Sequence, residues 1–517
     1  MRELGQRVLN SLLGRVWRNR RANVAVTFAL AALPLSMMAG MGVDLSNAMR
    51  IKFALQDATD EAAISLARQQ ATIADSAISS TAQTYVQASY NKTAAITVTN
   101  ATIDRNSIIA TLDTQATVPM YFSRLIGVTS MTVNAHAVAQ GLLDEIALVL
   151  DTSGSMSNYA GTTTKISGLK TAATSFLNTM FGTQTTSTRV SVGIVPFATG
   201  VRVVSAGTTP PSWMDTGGLE GDPYGDLDTT AKTRFQLFAQ MNQTWGGCVM
   251  TRPPPYDVTD DAPTTSTPAT LFIPWFAPDE PDTNLSWGYS QYENDYISDT
   301  GGTCSGSTSG KSDLWREQRT CKYKSATPAN GLGPNFLCLS NAITPLTNTR
   351  ATLDSAVSAL QANGDTNIME GVMWGWRVLS PGAPFTEGKS YTAPNNRKIM
   401  ILMTDGMNNY NGVNNPDMSY YFTYGFSRNG LLGNATTDNN ALNALLDAKT
   451  LQACANAKAL GIVIYTIGFG SGAAGSASLL QNCATKTSYY YAPQTASDLT
   501  PVFQQIAQSI NSLRLSQ

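Results

Sequence analysis

The feature that most constrains this chain is a run of 22 uncharged residues from Ala22 to Val43, which ends at Asp44. As a helix this run is about 33 Å long, enough to cross a hydrocarbon core of about 30 Å. Arginines dominate the preceding residues, with Glu3 as the one acid: Arg2, Arg7, Arg15, Arg18, Arg20 and Arg21. Positive charge before the segment predicts a cytoplasmic stub over residues 1–21, a single transmembrane helix over 22–43, and an exported remainder.

The alternative interpretation of this segment is a cleaved signal peptide. Its apolar stretch is longer than the 7 to 15 residues usual for such a peptide, which favours an uncleaved anchor. Within the segment, Pro34 predicts a kink, whereas Gly40 and Gly42 would allow close approach of another helix.

Composition narrows the function classes. Charged residues make up 14% of the chain and the formal net charge is -2, without the basic surface expected of a nucleic-acid-binding protein. His136 is the single histidine, so a zinc site with several histidines is excluded. Six cysteines without a CxxC pair, in an exported segment, predict disulfides. We expect two bridges among the first four cysteines and one between the last two: Cys248, Cys304, Cys321, Cys338, and then Cys454 and Cys483.

Residues 44–140 change from helical to strand periodicity. Small apolar residues recur every three or four positions from Ala48 to Leu66, which predicts a helix that continues out of the membrane. That face could pack on another helix or on its own domain. Alternation between Ala95 and Gln140 predicts strands, with His136 on a polar surface.

From residue 141 onward, apolar strands alternate with amphipathic helices. This pattern predicts an α/β fold with a doubly wound, mostly parallel sheet covered on both faces. The predicted strands are 146–150, 190–197, 398–403 and 462–467, and the predicted helices include 165–181, 350–362, 441–460 and 499–513. The domain is divided into 141–199 and 346–517 by an insertion over 200–345. The insertion holds more than half of the prolines, five of the eight tryptophans and four cysteines, so we expect a disulfide-stapled subdomain.

Oxygen-bearing side chains follow the ends of two predicted strands. The first strand runs into Asp151, Ser153 and Ser155 at alternate positions, and another strand ends at Asp405. Thr366 adds a hydroxyl from a turn that precedes a helix. The carboxyl ends of parallel strands are where such sheets bind ligands, and a hard divalent cation prefers oxygen ligands. The pattern therefore predicts a metal site at the exposed rim of the sheet.

Together these residues resemble the metal-ion-dependent adhesion site of von Willebrand factor A (VWA) domains. That family takes two serines and an aspartate from a DxSxS loop, a threonine from a second loop and an aspartate from a third. The resemblance spans about residues 144–512 outside the insertion and implies five ligands: Asp151, Ser153, Ser155, Thr366 and Asp405. It implies Mg²⁺, or Mn²⁺ or Ca²⁺, with an open position for an acidic side chain of a protein partner. The alternative is a metal that only ties the three loops together.

The whole chain also resembles the G-type component of the tight-adherence, or Flp pilus, assembly system. The strings RANVAVTFAL near the N-terminus and MWGWRVLSP, CANAK and IYTIGF in the α/β part carry this resemblance. It implies a bacterial inner-membrane protein whose periplasmic bulk takes part in pilus biogenesis and surface attachment. The anchor lacks the glutamate that prepilins carry five residues into their apolar stretch, so we do not expect prepilin-type processing.

Two glycine-rich strings are not interpreted as nucleotide sites. Gly470 to Gly475 matches GxGxxG but follows a late strand, and Ser305 stands where a P-loop requires its first glycine. Trp374 and Trp376 are expected in the core. The sequence thus predicts a binding protein rather than an enzyme. A rival interpretation is an adhesin or scaffold that binds through the tryptophans and prolines of the insertion, with a purely structural metal.

Overall fold

The structure is a computed structural model that describes residues 20–69, 73–104, 109–230, 232–282, 292–328 and 332–513. Residues 1–19 of the predicted basic stub and Trp287 of the insertion lie outside the described residues. The chain divides into two compact units, Met1–Gly141 and Leu142–Gln517.

The described part of the first unit contains two α-helices and a three-stranded antiparallel sheet in the order β1-β2-β3. Its elements are α1 (Arg20–Gln69), α2 (Ile78–Ser89), β1 (Ala95–Asp104), β2 (Ile109–Pro119) and β3 (Ser130–Gln140). The helix α1 confirms the predicted continuation beyond Asp44. Among the described residues it is the one helix long and apolar enough to cross a membrane.

The apolar face of α1 packs on its own unit. Ala48, Ile51, Leu55 and Ala58 are buried in a cluster with residues of β2 and β3. The hydroxyl oxygens of Thr59 on α1 and Thr114 on β2 lie 2.6 Å apart within this interface. Of the two expected arrangements of this face, packing on its own domain is therefore the one observed.

His136 lies on the surface of β3, as predicted. Its side chain is 61% exposed, and Nδ1 lies 2.6 Å from Asp113 Oδ1 on the neighbouring strand. Hydrogen bonds from Asn100 and His136 hold the pKa of Asp113 below its usual value.

The second unit is a six-stranded mixed sheet with helices on both faces, which confirms the predicted fold class. The strands are β4 (Leu143–Asp151), β5 (Val190–Phe197), β6 (Thr344–Thr347), β7 (Asn396–Thr404), β8 (Val463–Gly468) and β9 (Tyr490–Tyr491), in the order β9-β8-β7-β4-β5-β6. All neighbouring pairs are parallel except β5 and β6, which are antiparallel. The sequence did not predict the short edge strands β6 and β9.

The helices of the second unit contribute to two separate buried apolar clusters, which lie on the two faces of the sheet. The described α-helices of this unit are α3 (Lys165–Phe181), α4 (Arg234–Gln240), α5 (Asp313–Glu317), α6 (Arg350–Ala359), α7 (Ile368–Leu379), α8 (Asn439–Ala459), α9 (Ala477–Cys483) and α10 (Ala496–Leu513). One layer contains α3, α6 and α10, and the other contains α7, α8 and α9. Trp374 and Trp376 are buried in the second layer, as expected.

The insertion is built mainly from irregular backbone that buries its own polar groups. Arg252, almost fully buried, donates hydrogen bonds to the carbonyl oxygens of Tyr256, Thr259, Asp261 and Thr270. Burial lowers the pKa of this guanidinium to about 9. Bonds of this kind satisfy carbonyls that would otherwise need a strand or helix partner.

Apolar side chains of the insertion share the core of the sheet. Trp245, Phe272 and Phe276 belong to the same buried cluster as Trp374 and as Val149 of β4. Three disulfides are present, two in the insertion and one near the C-terminus, as predicted: Cys248–Cys338, Cys304–Cys321 and Cys454–Cys483.

Candidate metal site

The register of β4 and β7 brings two carboxylates together. The strands are parallel neighbours that pair Leu150 with Met403, so Asp151 at the end of β4 lies beside Thr404, which ends β7, and Asp405, which follows it. Side chains at the ends of adjacent parallel strands emerge at one edge of the sheet. The two aspartates lie 254 positions apart in the chain but meet there.

Asp151 is fully buried rather than placed at an exposed rim, which corrects the expectation from the sequence. Its Oδ1 accepts a hydrogen bond from the Ser153 backbone at 2.7 Å, and its Oδ2 accepts one from Thr404 Oγ1 at 2.6 Å. Burial and the negative charge of Asp405 raise the pKa of Asp151 to about 6. The carboxylate is therefore oriented by hydrogen bonds from the protein and has no contact with solvent.

The serines of the DxSxS loop lie between the carboxylates. Ser153 Oγ is 3.1 Å from Ser155 Oγ, and Ser155 Oγ donates to Asp405 Oδ1 at 2.6 Å. In an octahedron with Mg–O distances of 2.0 to 2.1 Å, neighbouring ligand oxygens lie about 3 Å apart. These hydroxyl and carboxylate oxygens therefore fit neighbouring positions around such an ion.

A third loop presents Thr366, which is 6% exposed. The Asn409 backbone donates to the Thr366 carbonyl at 2.9 Å, and a Cβ at Gly406 would lie 3.8 Å from Thr366 Oγ1. Gly154 donates to the Gly364 carbonyl at 2.8 Å, which ties this loop to the DxSxS loop. Thr366 thus lies close to the Asp405 loop.

Gly364 itself is required by the backbone. Its φ of +78° lies in the left-handed region, and an added Cβ would meet Thr199 Oγ1 at 2.9 Å. Thr199 Oγ1 also accepts a hydrogen bond from the Asp365 backbone at 2.8 Å. A threonine beyond β5 therefore fixes the loop that presents Thr366.

Lys165 is a site residue that the sequence reasoning missed. It begins α3, and its Nζ lies 2.6 Å from Asp405 Oδ2, with 12% of its side chain exposed. A cation in the first turn of a helix is opposed by the helix dipole. This unfavourable position, which can be recognised from the sequence, could have indicated that Lys165 has an anionic partner.

The two ends of the sheet differ in charge balance. At the start of β4 and β7, Asp144 pairs with Arg397 and Glu145 pairs with Lys398. At the opposite end, Lys165 is the one basic side chain of the described residues within salt-bridge distance of either Asp151 or Asp405. Two carboxylates against one ammonium leave an excess of one negative charge.

The described residues include no group of three or more His, Cys, Asp and Glu side chains arranged to hold a metal ion. A metal at this edge would therefore depend on two carboxylates together with hydroxyl oxygens. That donor set suits Mg²⁺ better than a transition metal, because the ligands are all oxygens.

The glycine-rich string after β8 packs against this edge. A Cβ at Gly472 would lie 2.6 Å from the Asp405 carbonyl oxygen, and one at Gly475 would lie 2.1 Å from Met407 Sδ. Ser476 Oγ donates to the Gly406 carbonyl at 2.9 Å. These glycines allow one loop to pack on the Asp405 loop, which accounts for the string without a nucleotide.

Comparisons with known families agree with the fold. Residues 22–69 match the family described as Flp pilus-assembly TadE/G-like, and residues 146–225 match the von Willebrand factor type A domain. The chain therefore combines a Tad-like N-terminal segment with a VWA domain, as the sequence resemblances implied. Comparison with curated proteins gives no match.

The solved structures to which this chain is similar include three bacterial pilus proteins, all with low TM-scores. The vWF domain of the type V pili tip protein Mfa5 from Porphyromonas gingivalis is 11% identical, with 72% of this chain and 96% of that chain covered and a TM-score of 0.33. The pilus adhesin SpaC from Lactobacillus rhamnosus GG is 12% identical over 80% of this chain and 33% of its own, with a TM-score of 0.32. The pilus adhesin RrgA from Streptococcus pneumoniae is 10% identical over 81% and 49%, with a TM-score of 0.34.

Proposed function

We propose that this chain is a membrane-anchored protein of Flp pilus assembly and surface attachment, whose VWA domain binds a protein partner through a divalent cation. The ligands would be Asp151, Ser153, Ser155, Thr366 and Asp405, with Mg²⁺ as the first choice and Mn²⁺ or Ca²⁺ as alternatives. When bound, the cation would supply a positive charge that accepts an acidic side chain of the partner. The proposal assigns binding rather than catalysis.

The observation that carries this proposal is the unequal charge at the carboxyl edge of the sheet. Asp151 and Asp405 are both buried, and Lys165 neutralises one of them. Ser153 and Ser155 add hydroxyl oxygens between the carboxylates at distances that suit an octahedral cation. A buried carboxylate without a balancing charge is costly, and a bound cation would remove that cost.

Exposed apolar side chains occur next to the proposed ligands in the chain. Tyr159, on the short hairpin that precedes Lys165, is 73% exposed, and Met407, two residues after Asp405, is 54% exposed. Aromatic and methionine side chains are enriched in protein interfaces. A partner that reaches the cation would find apolar contacts here.

The rival proposal, binding through the tryptophans of the insertion, has less support. Trp245 and Trp275 are buried in the core, and Trp213 is partly buried. Trp315 is 37% exposed, but its ring lies against the Arg319 guanidinium at 4.5 Å. Most described tryptophans of the insertion therefore stabilise the fold and are not free for a ligand.

A capture experiment tests the proposal. The full chain, purified in detergent, is used to retain proteins from envelope extract in Mg²⁺, in chelator, and as the Asp151→Asn variant in Mg²⁺. A partner retained by wild type in Mg²⁺ alone supports the proposal. A partner retained equally in all three conditions would favour the insertion or another surface.

The anchor and its orientation are also part of the proposal. The family match and α1 support a membrane-anchored protein, and we propose an inner-membrane location with a cytoplasmic N-terminus and a periplasmic bulk. Carbonate extraction with intact-mass measurement tests the anchor. A soluble species that begins near residues 41–44 would identify a signal peptide instead.

A further inference from the structure

The loop between β2 and β3 is held against α1 at the end of the uncharged segment. The Asp44 carboxylate accepts hydrogen bonds from the backbones of Tyr121, Phe122 and Ser123 at 3.1, 2.9 and 2.7 Å. The Phe122 ring packs on Gly40, where an added Cβ would lie 2.5 Å from its Cδ1. Gly40 was expected to allow close approach of another helix, but in the structure it allows close packing of the Phe122 side chain.

The same loop, residues 121–128, exposes a group of large apolar side chains. Tyr121 is 72% exposed, Leu125 is 68% and Ile126 is 59%, and Phe122 and Val128 are nearly half exposed. Two of these side chains, Leu125 and Ile126, lie on a short 3₁₀ helix, Ser123–Ile126. Contiguous exposed apolar residues of this size mark a surface that is covered in the working state of a protein.

We propose that the 121–128 loop is a second membrane contact, which places its apolar side chains in the interface of the bilayer that α1 crosses. The inference rests on the proposed membrane anchor and is independent of the metal site. The loop is attached at Gly40 and Asp44, where the 22 uncharged residues end. The hydrocarbon core of the membrane would therefore end at the level of the loop.

The composition of the loop fits a lipid interface better than a water-filled space. Tyrosine and phenylalanine lie beside leucine and isoleucine, and Arg124 lies among them. Aromatic rings favour the headgroup level, and arginine can extend towards lipid phosphates. Continuity with the lipid-facing helix supports lipid as the occupant, since Val43 and Leu45 of α1 are also more than half exposed.

Two contacts would constrain the first unit more than a helix alone. A single helix permits rotation of the exported part about its axis, whereas a second inserted point restricts that rotation. Asp44 and Gly40 act here as positioning residues, because they fix the loop to the helix at the required level.

Spin labelling of the full chain in lipid nanodiscs tests this proposal. All six native cysteines form disulfides, so a label reacts at an introduced cysteine. Labels are placed at Leu125→Cys, at Val138→Cys and at Leu33→Cys. Val138 is a matched control, because it is 57% exposed in the same unit but lies near the far end of β3. Collisions with oxygen and with a polar nickel complex are measured at each position.

We expect the oxygen-to-nickel collision ratio at Leu125 to exceed the ratio at Val138 several-fold and to approach the ratio at Leu33. Adding Ile126→Asp should lower the ratio at Leu125, because a buried charge opposes insertion into lipid. A Leu125 label as accessible to nickel as the Val138 label, with Leu33 shielded, would overturn the proposal while leaving the anchor intact. If the Leu125 label is shielded from nickel only when a nanodisc holds more than one copy of the chain, then a second copy covers the loop. That result would also overturn the proposal. A nickel-accessible Leu33 would refute the anchor itself.

Discussion

Lys165 places its ammonium nitrogen 2.6 Å from Asp405 Oδ2, so one carboxylate of the candidate metal site has a cationic partner within the chain. A divalent cation and this ammonium would be like charges that interact with the same carboxylate. If the proposed cation binds here, Lys165 would therefore weaken its binding.

Replacing Lys165 by methionine should increase the affinity for Mg²⁺. A divalent cation and an ammonium about 5 Å apart repel by about 1.7 kcal/mol even at the dielectric constant of bulk water, so removing the ammonium should raise the affinity about tenfold or more. Titration calorimetry measures the change. Lys170→Met on the same helix is the control, because its Nζ donates to the Ser358 carbonyl, away from the two carboxylates. Equal affinities in the wild type and Lys165→Met would contradict the competition.

Asp151→Asn should abolish stabilisation by Mg²⁺ and leave the domain folded. The amide has nearly the same shape as the buried carboxylate but lacks one of the two negative charges that would balance the cation. Thermal unfolding with and without Mg²⁺ is the measurement. Asp354→Asn provides the control, since Asp354 is 45% exposed and pairs with Arg350 on the surface. A variant that still gains stability from Mg²⁺ would exclude Asp151 as a ligand.

Loss of the disulfide Cys248–Cys338 should destabilise the chain more than loss of Cys304–Cys321. The first joins residues 90 positions apart and the second joins residues 17 apart. By lowering the entropy of the unfolded chain, the first disulfide should stabilise the folded state by about 4.6 kcal/mol and the second by about 3 kcal/mol. Denaturant unfolding of the two double-alanine variants gives this order.

Reduction of all bridges should expose the insertion to proteolysis before the sheet. Residues 146–197 lie in the buried centre of the unit and contain no cysteine, so reduction should leave them protected from the protease. Early cleavage within this range would contradict the expectation.

Gly375→Ala should destabilise the second unit by about 1 to 3 kcal/mol. An added Cβ would lie 2.4 Å from Val149 Cγ2 and 3.2 Å from Met400 Cε, so α7 would have to move away from the sheet. Gly382→Ala is the matched control, because its nearest atom would be Ser380 Oγ at 3.8 Å. Urea midpoints compare the two variants. Equal midpoints would mean that the helix and sheet adjust without cost.

Glu280 should make the insertion less stable as the pH rises from about 5 to 8. Burial raises the pKa of this carboxyl to about 8, although a hydrogen bond from the Asn294 backbone opposes the shift. The folded state therefore keeps a proton that the unfolded chain releases, and the associated stability is lost as the pH passes through the folded pKa. The stability difference between wild type and Glu280→Gln should fall across this range.

Urea unfolding at several pH values measures that difference. Glu387→Gln, which changes an exposed glutamate, should show a flat difference over the same range. A flat difference for Glu280→Gln as well would mean that the Glu280 carboxyl is ionised in the folded protein.

Much of the second unit was predictable because its signals are local. Apolar runs bounded by polar turns predicted β4, β5, β7 and β8 to within a few residues, and α3 begins and ends where its pattern predicted. The short strands β6 and β9 were not predicted. They are edge strands of four and two residues, too short for periodicity to be read.

The candidate site was predictable as a set of residues, but its electrostatics were not. Asp151 and Asp405 could be named from strand ends, since parallel strands bring such ends together. The burial of Asp151 depends on Thr404, which donates to its carboxylate from the neighbouring strand. The pairing of Lys165 with Asp405 depends on the approach of α3 to the end of β7, a distance that no local pattern encodes.

The sequence by itself determined the apolar helix, the order of strands and helices, the grouping of the cysteines and the residues that end each strand. Each of these follows from side-chain periodicity or residue type over a short stretch of chain. Only the tertiary structure decided that Asp151 is buried, that Lys165 reaches Asp405, that Phe122 packs on Gly40, and that the insertion shares the core of the sheet. These depend on contacts between residues far apart in the chain, because burial and charge pairing are properties of the packed structure.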